Sequence, residues 1–313
     1  MTVFPDHRRT WPRDASRMTW HAADGWPLRV FDRPANGRRG SILSLGGRGD
    51  FIEKYLEIHE QWHHEGWHVT AFDWRGQAGS GRLLAGNTGH IDDFATWLDD
   101  LAAFWREWVA RTPAPHVVMG HSMGGHLVLR ALVESRIAPV AAILSAPMLG
   151  FDSGGVASWI APRVAAMLGR AAPTRRAWRE NERPARPGET REHFLTHDAA
   201  RYADEIWWRT QDASLALGPP SWSWIAAAYR SFASIERTGA VERVAQPVLT
   251  VATEGDRLVD PTATRRIAAR LPRGELLMFG REVAHEVLRE VDRVRDEALD
   301  RIAAFLDRHA PPR

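Results

Sequence analysis

The chain contains 313 residues, of which 44% are hydrophobic and 26% are charged, and this balance is typical of a globular protein with a large buried core. The formal net charge is only +2 and Lys54 is the only lysine, so nearly all positive charge is arginine interspersed with acids, which argues against a nucleic-acid partner. Cysteine is absent, which excludes disulfides, thiolate metal sites and a cysteine nucleophile.

The sequence lacks the features of a membrane-spanning or exported protein. No apolar run approaches the roughly 18 residues that a spanning helix needs. Residues 1–20 mix Asp, Arg and Pro and contain no apolar signal-peptide core. We therefore expect a cytoplasmic protein whose contact with a membrane, if it has any, is peripheral and at the inner face.

The first part of the chain alternates predicted strands and helices. Asp24-Gly25, between two stretches of mixed polarity, indicates a hairpin within residues 19–35. Short apolar runs predict strands at Ser41–Leu45 and His68–Trp74, and apolar residues at helical spacing predict a helix from Phe51 to His64. The pattern is therefore strand, helix, strand.

A long amphipathic helix is predicted at residues 91–111, and its apolar stripe is interpreted as core packing. The stripe consists of Phe94, Trp97, Leu98, Leu101, Phe104, Trp105 and Trp108. Val117–Val133 then predicts a strand, a tight turn and a helix, and Val140–Leu144 predicts the next strand. Continuous apolar strands that alternate with helices are typical of a parallel sheet buried on both faces.

This alternation stops after Met148. From about residue 150 to residue 235 the chain has short helical patches, an arginine- and proline-rich stretch at Arg163–Arg191, and a break at Gly218-Pro219-Pro220. Roughly 85 residues is the size of a small subdomain. We interpret residues 150–235 as a helical cap inserted into the α/β domain.

The strand pattern resumes at Pro247–Ala252 and at Glu275–Phe279, and a last helix is predicted from about Glu286 to Arg308. These elements continue the alternation of the first part of the chain. Residues 1–149 and 236–313 therefore predict one α/β core.

The most informative motif is Gly120-His121-Ser122-Met123-Gly124, which fits G-x-S-x-G between a predicted strand and a predicted helix. Its glycines let strand and helix pack closely around a sharp turn, so that the Ser122 hydroxyl is exposed at the positive end of a helix dipole. That position suits a nucleophile attacking an acyl carbon. A turn whose serine only caps the helix fits the bare pattern equally well, so the decision rests on other residues.

A serine nucleophile needs a base and an acid to orient it, which in this type of fold follow in the order serine, acid, histidine. Asp256 follows the strand that ends at Ala252, and we choose it as the acid. Asp260 is the rival, but it precedes Pro261 and is better explained as a helix N-cap. His285 follows the last predicted strand and is the only one of the 14 histidines in that position.

The developing oxyanion also needs donors, and two backbone N–H groups usually provide them. We assign these roles to Met123, next after the serine, and to Arg48, which follows Gly46-Gly47 at the end of the first core strand. No phosphate-binding loop, dinucleotide fingerprint or H-E-x-x-H motif is present. We therefore predict no cofactor and no metal.

Taken together these residues resemble the serine α/β-hydrolases, and within them the monoglyceride-lipase-like group that includes bacterial lysophospholipases. The resemblance covers about residues 41–310. Its most specific segments are Phe72–Gln77, Gly89-His90-Ile91, Gly120–Gly125, Gly255–Val259 and His285-Glu286, with Leu195–Asp198, Gly218-Pro219-Pro220 and Trp224 in the cap. Gly79–Leu84 and Asp99–Trp105 resemble the bacterial lysophospholipase branch in particular.

The resemblance implies a mostly parallel eight-stranded sheet with helices on both faces, a helical cap inserted after the sixth strand, and ester hydrolysis through an acyl-serine. The favoured function is hydrolysis of a monoacyl lipid, with a lysophospholipid first. A monoacylglycerol lipase, a hydrolase of small esters or peptides, and a non-catalytic binding protein of the same fold are the alternatives. Many members of the group carry His-Gly where this chain has Gly46-Gly47, which makes Arg48 the weakest assignment.

The predicted cap is mildly enriched in tryptophan and arginine. The residues are Trp159, Trp178, Trp207, Trp208, Trp222 and Trp224, with Arg170, Arg175, Arg176 and Arg179. They would form an aromatic and cationic mouth for a lipid with a phosphate head group, or a contact with an anionic membrane surface. An ordinary helical subdomain with a solvated arginine face explains them equally well.

Overall fold

The computed structural model describes residues 5–35, 39–151, 159–178 and 191–312. In these ranges the strands are β1 (Ser16–His21), β2 (Pro27–Arg33), β3 (Ser41–Leu45), β4 (His68–Phe72), β5 (His116–His121), β6 (Ala141–Ser145), β7 (Val248–Thr253) and β8 (Gly274–Phe279). The α-helices are α1 (Leu56–His64), α2 (Ala95–Arg111), α3 (Met123–Val133), α4 (Ala161–Ala171), α5 (Glu192–Leu195), α6 (Ala199–Gln211), α7 (Trp222–Glu236), α8 (Pro261–Ala268) and α9 (Asp292–His309).

The eight strands form one sheet in the order β1-β2-β4-β3-β5-β6-β7-β8. β2 is antiparallel to both β1 and β4, and all other neighbouring strands are parallel. This confirms the predicted hairpin and the mostly parallel eight-stranded sheet. The turns after β3, β5, β7 and β8 therefore all lie at the carboxyl edge of the parallel strands, where ligands bind in open α/β sheets.

Both faces of the sheet are covered at its centre, which explains why β3, β4, β6 and β7 are buried at every position. Val118 of β5 points toward the cluster formed with α2, α3 and α7. Its neighbours Val117 and Met119 point to the other face, against α1 and α9. Successive side chains alternate across a strand, so each central strand needs apolar residues at every position.

Three predicted helices begin later than the apolar spacing indicates. α1 starts at Leu56 rather than Phe51, and a single 3-10 turn at Ile52–Tyr55 precedes it. α2 starts at Ala95 rather than residue 91, because the Asp93 carboxylate accepts the Ala95 N–H at 2.9 Å and so fixes the helix start. α9 starts at Asp292 rather than Glu286. The backbone N–H groups of His285 and Glu286 donate instead to carbonyls of α5, which keeps this segment outside the helix.

Between β6 and β7 the described residues form α4, α5, α6 and α7. α7 packs against α3, and Trp224, Ala228 and Phe232 of α7 belong to the same buried cluster as α2. Arg176, which follows α4, connects this region to the loop before α2, since its guanidinium donates to the Thr88 hydroxyl at 2.9 Å. The division into a core and a cap at residues 150 and 235 stays a prediction.

Candidate active site

Ser122 occupies a strained turn between β5 and α3. Its φ of +50° and ψ of −116° lie in a region that residues with a side chain rarely adopt. The turn is held by its own backbone, because Ser122 N–H donates to Ser145 O and Ser122 O accepts from Met148 N–H, both at 2.9 Å. Such over-determined strain is typical of functional positions.

Close packing at this turn depends on Gly124. A Cβ at Gly124 would lie 2.4 Å from the carbonyl oxygen of Gly46, so only glycine lets the start of α3 touch the turn after β3. Met123 is the first residue of α3, and its N–H therefore has no acceptor within the helix. The positive end of the helix dipole adds to that N–H beside Ser122.

His285 and Asp256 are hydrogen-bonded through His285 Nδ1 and Asp256 Oδ2 at 2.6 Å, and both side chains are buried. The other carboxylate oxygen accepts the N–H groups of Leu258 and Val259 at 2.9 and 3.0 Å, which fixes its orientation. Burial acts to lower the pKa of His285, but the Asp256 carboxylate, with smaller contributions from Glu286 and Asp50, raises it above its ordinary value. With Nδ1 facing Asp256, Nε2 is the nitrogen left to take a proton from a serine.

Asp260, the rival acid, lies elsewhere. Its carboxylate accepts the Thr262 N–H at 2.8 Å and caps α8, as predicted from an aspartate that directly precedes Pro261.

Ser122 and His285 line one cavity, but within the described residues no hydrogen bond joins their side chains. In enzymes without substrate this contact is often long and shortens when the substrate binds. Of the two hydrogen bonds that a serine triad requires, the structure contains the one between histidine and acid.

The turn Gly46–Gly49 after β3, which we term the oxyanion turn, is fixed by side chains from three directions. Trp74 Nε1 donates to Gly46 O at 2.8 Å, Gly47 N–H donates to Asp50 Oδ2 at 2.6 Å, and Gly49 N–H donates to Gln77 Oε1 at 2.5 Å. A Cβ at Gly47 would lie 2.9 Å from the Cβ of Ser122. Arg48 thus lies between two restrained amides beside the predicted nucleophile.

The side chain of Arg48 leads away from this turn. Its guanidinium donates to Gly218 O and lies 5.5 Å from the ring centre of Trp224. The role assigned to Arg48 therefore concerns its backbone N–H alone.

The cavity at Ser122 has a volume of about 160 Å³. Its described wall is largely apolar and includes Met148, Phe151, Leu195, Pro220, Trp224, Leu258 and Val259. Its charged lining residues are Arg48, Asp50, Lys54, Arg191 and Glu286. The cavity can therefore enclose an apolar group next to the serine and a charged or polar group beyond it.

The aromatic and cationic mouth predicted for the cap is formed only in part. Trp178 and Trp224 line the cavity. The remaining four tryptophans do not: Trp159 is 64% exposed, Trp222 packs on the core, Trp208 Nε1 donates to Arg8 O, and Trp207 contacts Arg9.

The cap arginines follow the same division. Arg176 donates to Thr88. Arg170 and Arg175 are exposed to solvent and are not among the described residues that line the cavity. Arg191, at the end of the arginine-rich stretch, does line the cavity. Arg179 lies outside the described residues.

Sequence reasoning missed a buried group of charges beside the site, formed by Asp50, Lys54, Glu205, Glu286 and Arg289, which we term the charge cluster. The position of Lys54 four residues after Asp50, together with its being the only lysine, is the one signal that could have indicated it. Glu286 and Arg289 are also only three residues apart, but these two pairs and Glu205 are far from one another in the sequence.

Among the described residues, no group of three or more His, Asp or Glu side chains is arranged to hold a metal ion. A search of the same residues finds no helix with the length and apolarity needed to cross a membrane.

Comparison with known proteins gives one family and several relatives. The family model described as serine aminopeptidase S33 matches residues 36–292. Lysophospholipase L2 of Escherichia coli strain K12 is 30% identical over 315 aligned positions, which cover 96% of this chain and 89% of that protein. A probable lysophospholipase L2 of Haemophilus influenzae is 23% identical and covers 88% of this chain and 86% of its own length.

Solved structures agree on the fold. A soluble variant of monoglyceride lipase from Saccharomyces cerevisiae superposes with a TM-score of 0.74 at 19% identity and covers 96% of this chain and 98% of its own. A monoacylglycerol lipase of Paleococcus ferrophilus gives a TM-score of 0.69 at 19% identity, with 94% and 99% coverage. The eight-stranded sheet is thus an α/β-hydrolase sheet, as the sequence resemblance implied.

Proposed function

Since the chain belongs to the serine aminopeptidase S33 family of α/β-hydrolases and is a serine carboxylester hydrolase, we propose that it cleaves monoacyl lipids, lysophospholipids first, with Ser122, His285 and Asp256 as its triad. The observation that carries this proposal is the hydrogen bond between His285 and Asp256 at the cavity that Ser122 also lines. The strained turn at Ser122 and the start of α3 support it.

The proposed reaction has two halves. His285 Nε2 takes the Ser122 hydroxyl proton while Ser122 Oγ attacks the acyl carbon, and the N–H groups of Met123 and Arg48 donate to the resulting oxyanion. Asp256 stabilises the imidazolium. The tetrahedral intermediate then expels the glycerol oxygen, which takes its proton from His285, and leaves an acyl-serine. Water, deprotonated by His285, releases the fatty acid in the second half.

The proposed substrate class follows from the lining of the cavity. An apolar wall of Met148, Phe151, Leu258 and neighbouring residues suits one acyl chain, and the cationic side chain of Arg191 favours a phosphate-bearing head group. The relative from E. coli is named a lysophospholipase, which supports the same class.

The name of the family would also fit an aminopeptidase. Such an enzyme needs a carboxylate to bind the substrate's terminal ammonium group. Among the described lining residues the carboxylates are Asp50 and Glu286, and Lys54 already bonds to both. The cavity therefore favours the ester over the aminopeptide.

The first test uses Ser122→Ala. We expect this variant to keep the unfolding midpoint of the wild type and to lose ester turnover, because the hydroxyl is the only nucleophile proposed. A fluorophosphonate should label Ser122 of the wild type and no other serine, as read by mass spectrometry of peptides. Full activity of the alanine variant, or no adduct on the wild type, would contradict the proposal.

The second test concerns the acyl chain. Each buried methylene contributes about 0.8 kcal/mol to transition-state binding, so kcat/KM should rise at least about 100-fold from acetyl to dodecanoyl p-nitrophenyl esters below their micellar concentrations. If acetyl or butyryl esters are cleaved best, the enzyme is a small-ester hydrolase instead.

The head group is tested separately with lysophospholipid and monoacylglycerol of one chain length. At low salt the lysophospholipid should be cleaved faster, and 0.5 M salt should narrow the difference because exposed charges are screened. Equal rates at low salt would retain the acyl site but contradict the preference for a phosphate head group.

A further inference from the structure

Lys54 is the only lysine of the chain, and its side chain is 1% exposed. Its Nζ donates to Asp50 Oδ1 at 2.6 Å and to Glu286 Oε1, and it lies 3.2 Å from Glu205 Oε2. Burial acts to lower the pKa of Lys54, but the three carboxylates raise it above its ordinary value, so the ammonium stays charged. Its three N–H donors thus meet three carboxylates.

Each carboxylate belongs to a different part of the site. Asp50 uses its second oxygen to accept the Gly47 N–H of the oxyanion turn and the Tyr55 hydroxyl, both at 2.6 Å. Glu286 directly follows His285, and its second oxygen pairs with Arg289. Glu205 belongs to α6, in the region between β6 and β7.

Glu205 connects α6 firmly to this group. It is fully buried, and besides Lys54 it contacts Arg289 at 3.2 Å, Arg191 at 2.6 Å and Arg209 at 2.7 Å. One ammonium therefore joins the oxyanion turn, the segment that carries His285, and α6.

Stability alone gives a weak reason for such an arrangement, because buried ion pairs can often be replaced by apolar groups without loss of stability. Catalysis gives a stronger one. The donors of the oxyanion turn act on the carbonyl oxygen of the ester, and the imidazole acts on the serine proton and on the leaving oxygen of the same ester. Their separation must therefore be held within a fraction of an ångström. Lys54 spans that separation through Asp50 on one side and Glu286 on the other.

We propose that Lys54 is a positioning residue. It holds the oxyanion turn and His285 at the separation that acyl transfer requires, and it links both to α6. This inference rests on the proposed function of Ser122 and His285. It does not require that Lys54 touch the substrate.

The test compares Lys54→Met with Lys54→Arg in the full-length chain. For Lys54→Met we expect kcat on a p-nitrophenyl ester to fall about 100-fold with KM changed less than about threefold, since displacement by about 1 Å costs this much. The rate constant of fluorophosphonate labelling should fall in parallel. Lys54→Arg keeps the charge and should recover kcat to within about tenfold of the wild type.

The matched control is Arg33→Met. Arg33 is also a buried cation, and it donates to Glu60 Oε2 at 2.5 Å. It lies at the end of β2 beside the start of β4, and therefore at the amino end of the parallel strands, away from the carboxyl edge that carries the site. This variant should lose thermal stability as Lys54→Met does and keep kcat within about twofold of the wild type.

Three results would overturn the inference: a folded Lys54→Met with wild-type kcat, a loss confined to KM, or an equal loss of kcat in Arg33→Met. If Lys54→Met does not fold, Glu205→Gln replaces it, and a kcat loss of about tenfold or more at unchanged KM is then expected. An unchanged kcat in that variant overturns the link to α6. If the wild type itself neither hydrolyses esters nor takes the label, the proposed function fails instead.

Discussion

Ser122 and Asp256 show how single residues acquire their roles from their backbone surroundings. The serine is presented by a φ of +50° that its neighbours maintain. The aspartate has one oxygen fixed by two backbone N–H groups, so its other oxygen has a single direction in which to act, toward His285. The proposed acid thus combines a fixed orientation with the negative charge that balances an imidazolium.

At this scale we predict opposite outcomes for Asp256→Asn and Asp260→Asn. Asparagine at 256 can still accept the two backbone N–H groups but cannot balance an imidazolium, so kcat should fall by about 10⁴-fold. Asparagine caps helices as well as aspartate, so the variant at 260 should stay within about threefold of the wild type. Steady-state kinetics on one ester distinguishes them, and the reverse ranking would move the acid to residue 260.

At the scale of elements, strands were predictable where local patterns suffice. β3 coincides with the predicted Ser41–Leu45, because burial on both faces leaves a short run of apolar and small residues. The start of α9 was predicted wrongly, because the hydrogen bonds of His285 and Glu286 to α5 join residues about 90 positions apart.

The site divides in the same way. The order of serine, aspartate and histidine could be predicted from strand ends, since parallel strands bring their turns to one edge. The charge cluster could not, because Lys54 and Glu286 are separated by 232 positions. No local pattern reports which buried charges will meet.

α4 is the element for which we propose contact with an anionic membrane surface. It exposes Met167 at 60%, preceded by Trp159 at 64%, and Arg163 and Arg170 are exposed on the same helix. Apolar side chains with flanking cations are typical of interfacial helices. This contact would bring the cavity near its lipid substrate.

We expect the double variant Trp159→Ala, Met167→Ala to bind vesicles of phosphatidylglycerol and phosphatidylcholine at least about tenfold more weakly than the wild type, as measured by sedimentation. The reason is that the variant lacks the two apolar side chains that would be buried in the bilayer. Val140→Ala is the control. Val140 is 41% exposed, but it directly precedes β6 and so lies at the amino end of the parallel strands, opposite the carboxyl edge that carries the site. Equal binding by the double variant and the wild type would exclude α4 as the contact.

For the whole molecule, buried histidines make stability depend on pH. His59, His121 and His126 are buried, and desolvation is the main reason that their pKa values fall to about 3, about 4 and about 3. Between those values and 6.5 the unfolded chain binds more protons, so stability declines as the pH falls. His285, with a raised pKa, acts at higher pH: it adds stability as the pH falls from its raised pKa to 6.5 and contributes no further change below 6.5.

At pH 5, His59 alone should cost about 2 kcal/mol of unfolding free energy relative to neutral pH. His59 lies between Phe31 and Trp62, so His59→Phe should fit the site and reduce the loss between pH 7.5 and pH 5 by that amount, as measured by urea unfolding. His21→Gln, at an exposed position of β1, should leave the loss unchanged. A loss unaffected by His59→Phe would show that other groups control the acid response.

The burial of the single lysine has a consequence for proteolysis. A protease that cleaves only after lysine has one target in the whole chain. In the folded protein that peptide bond lies in the 3-10 turn Ile52–Tyr55, and three carboxylates surround the lysine side chain. Cleavage therefore requires opening of the region where the active-site segments meet. Digestion should cut each molecule at this one bond and give a single pair of fragments. The rate at which these fragments appear then reports the local unfolding of the region around Lys54.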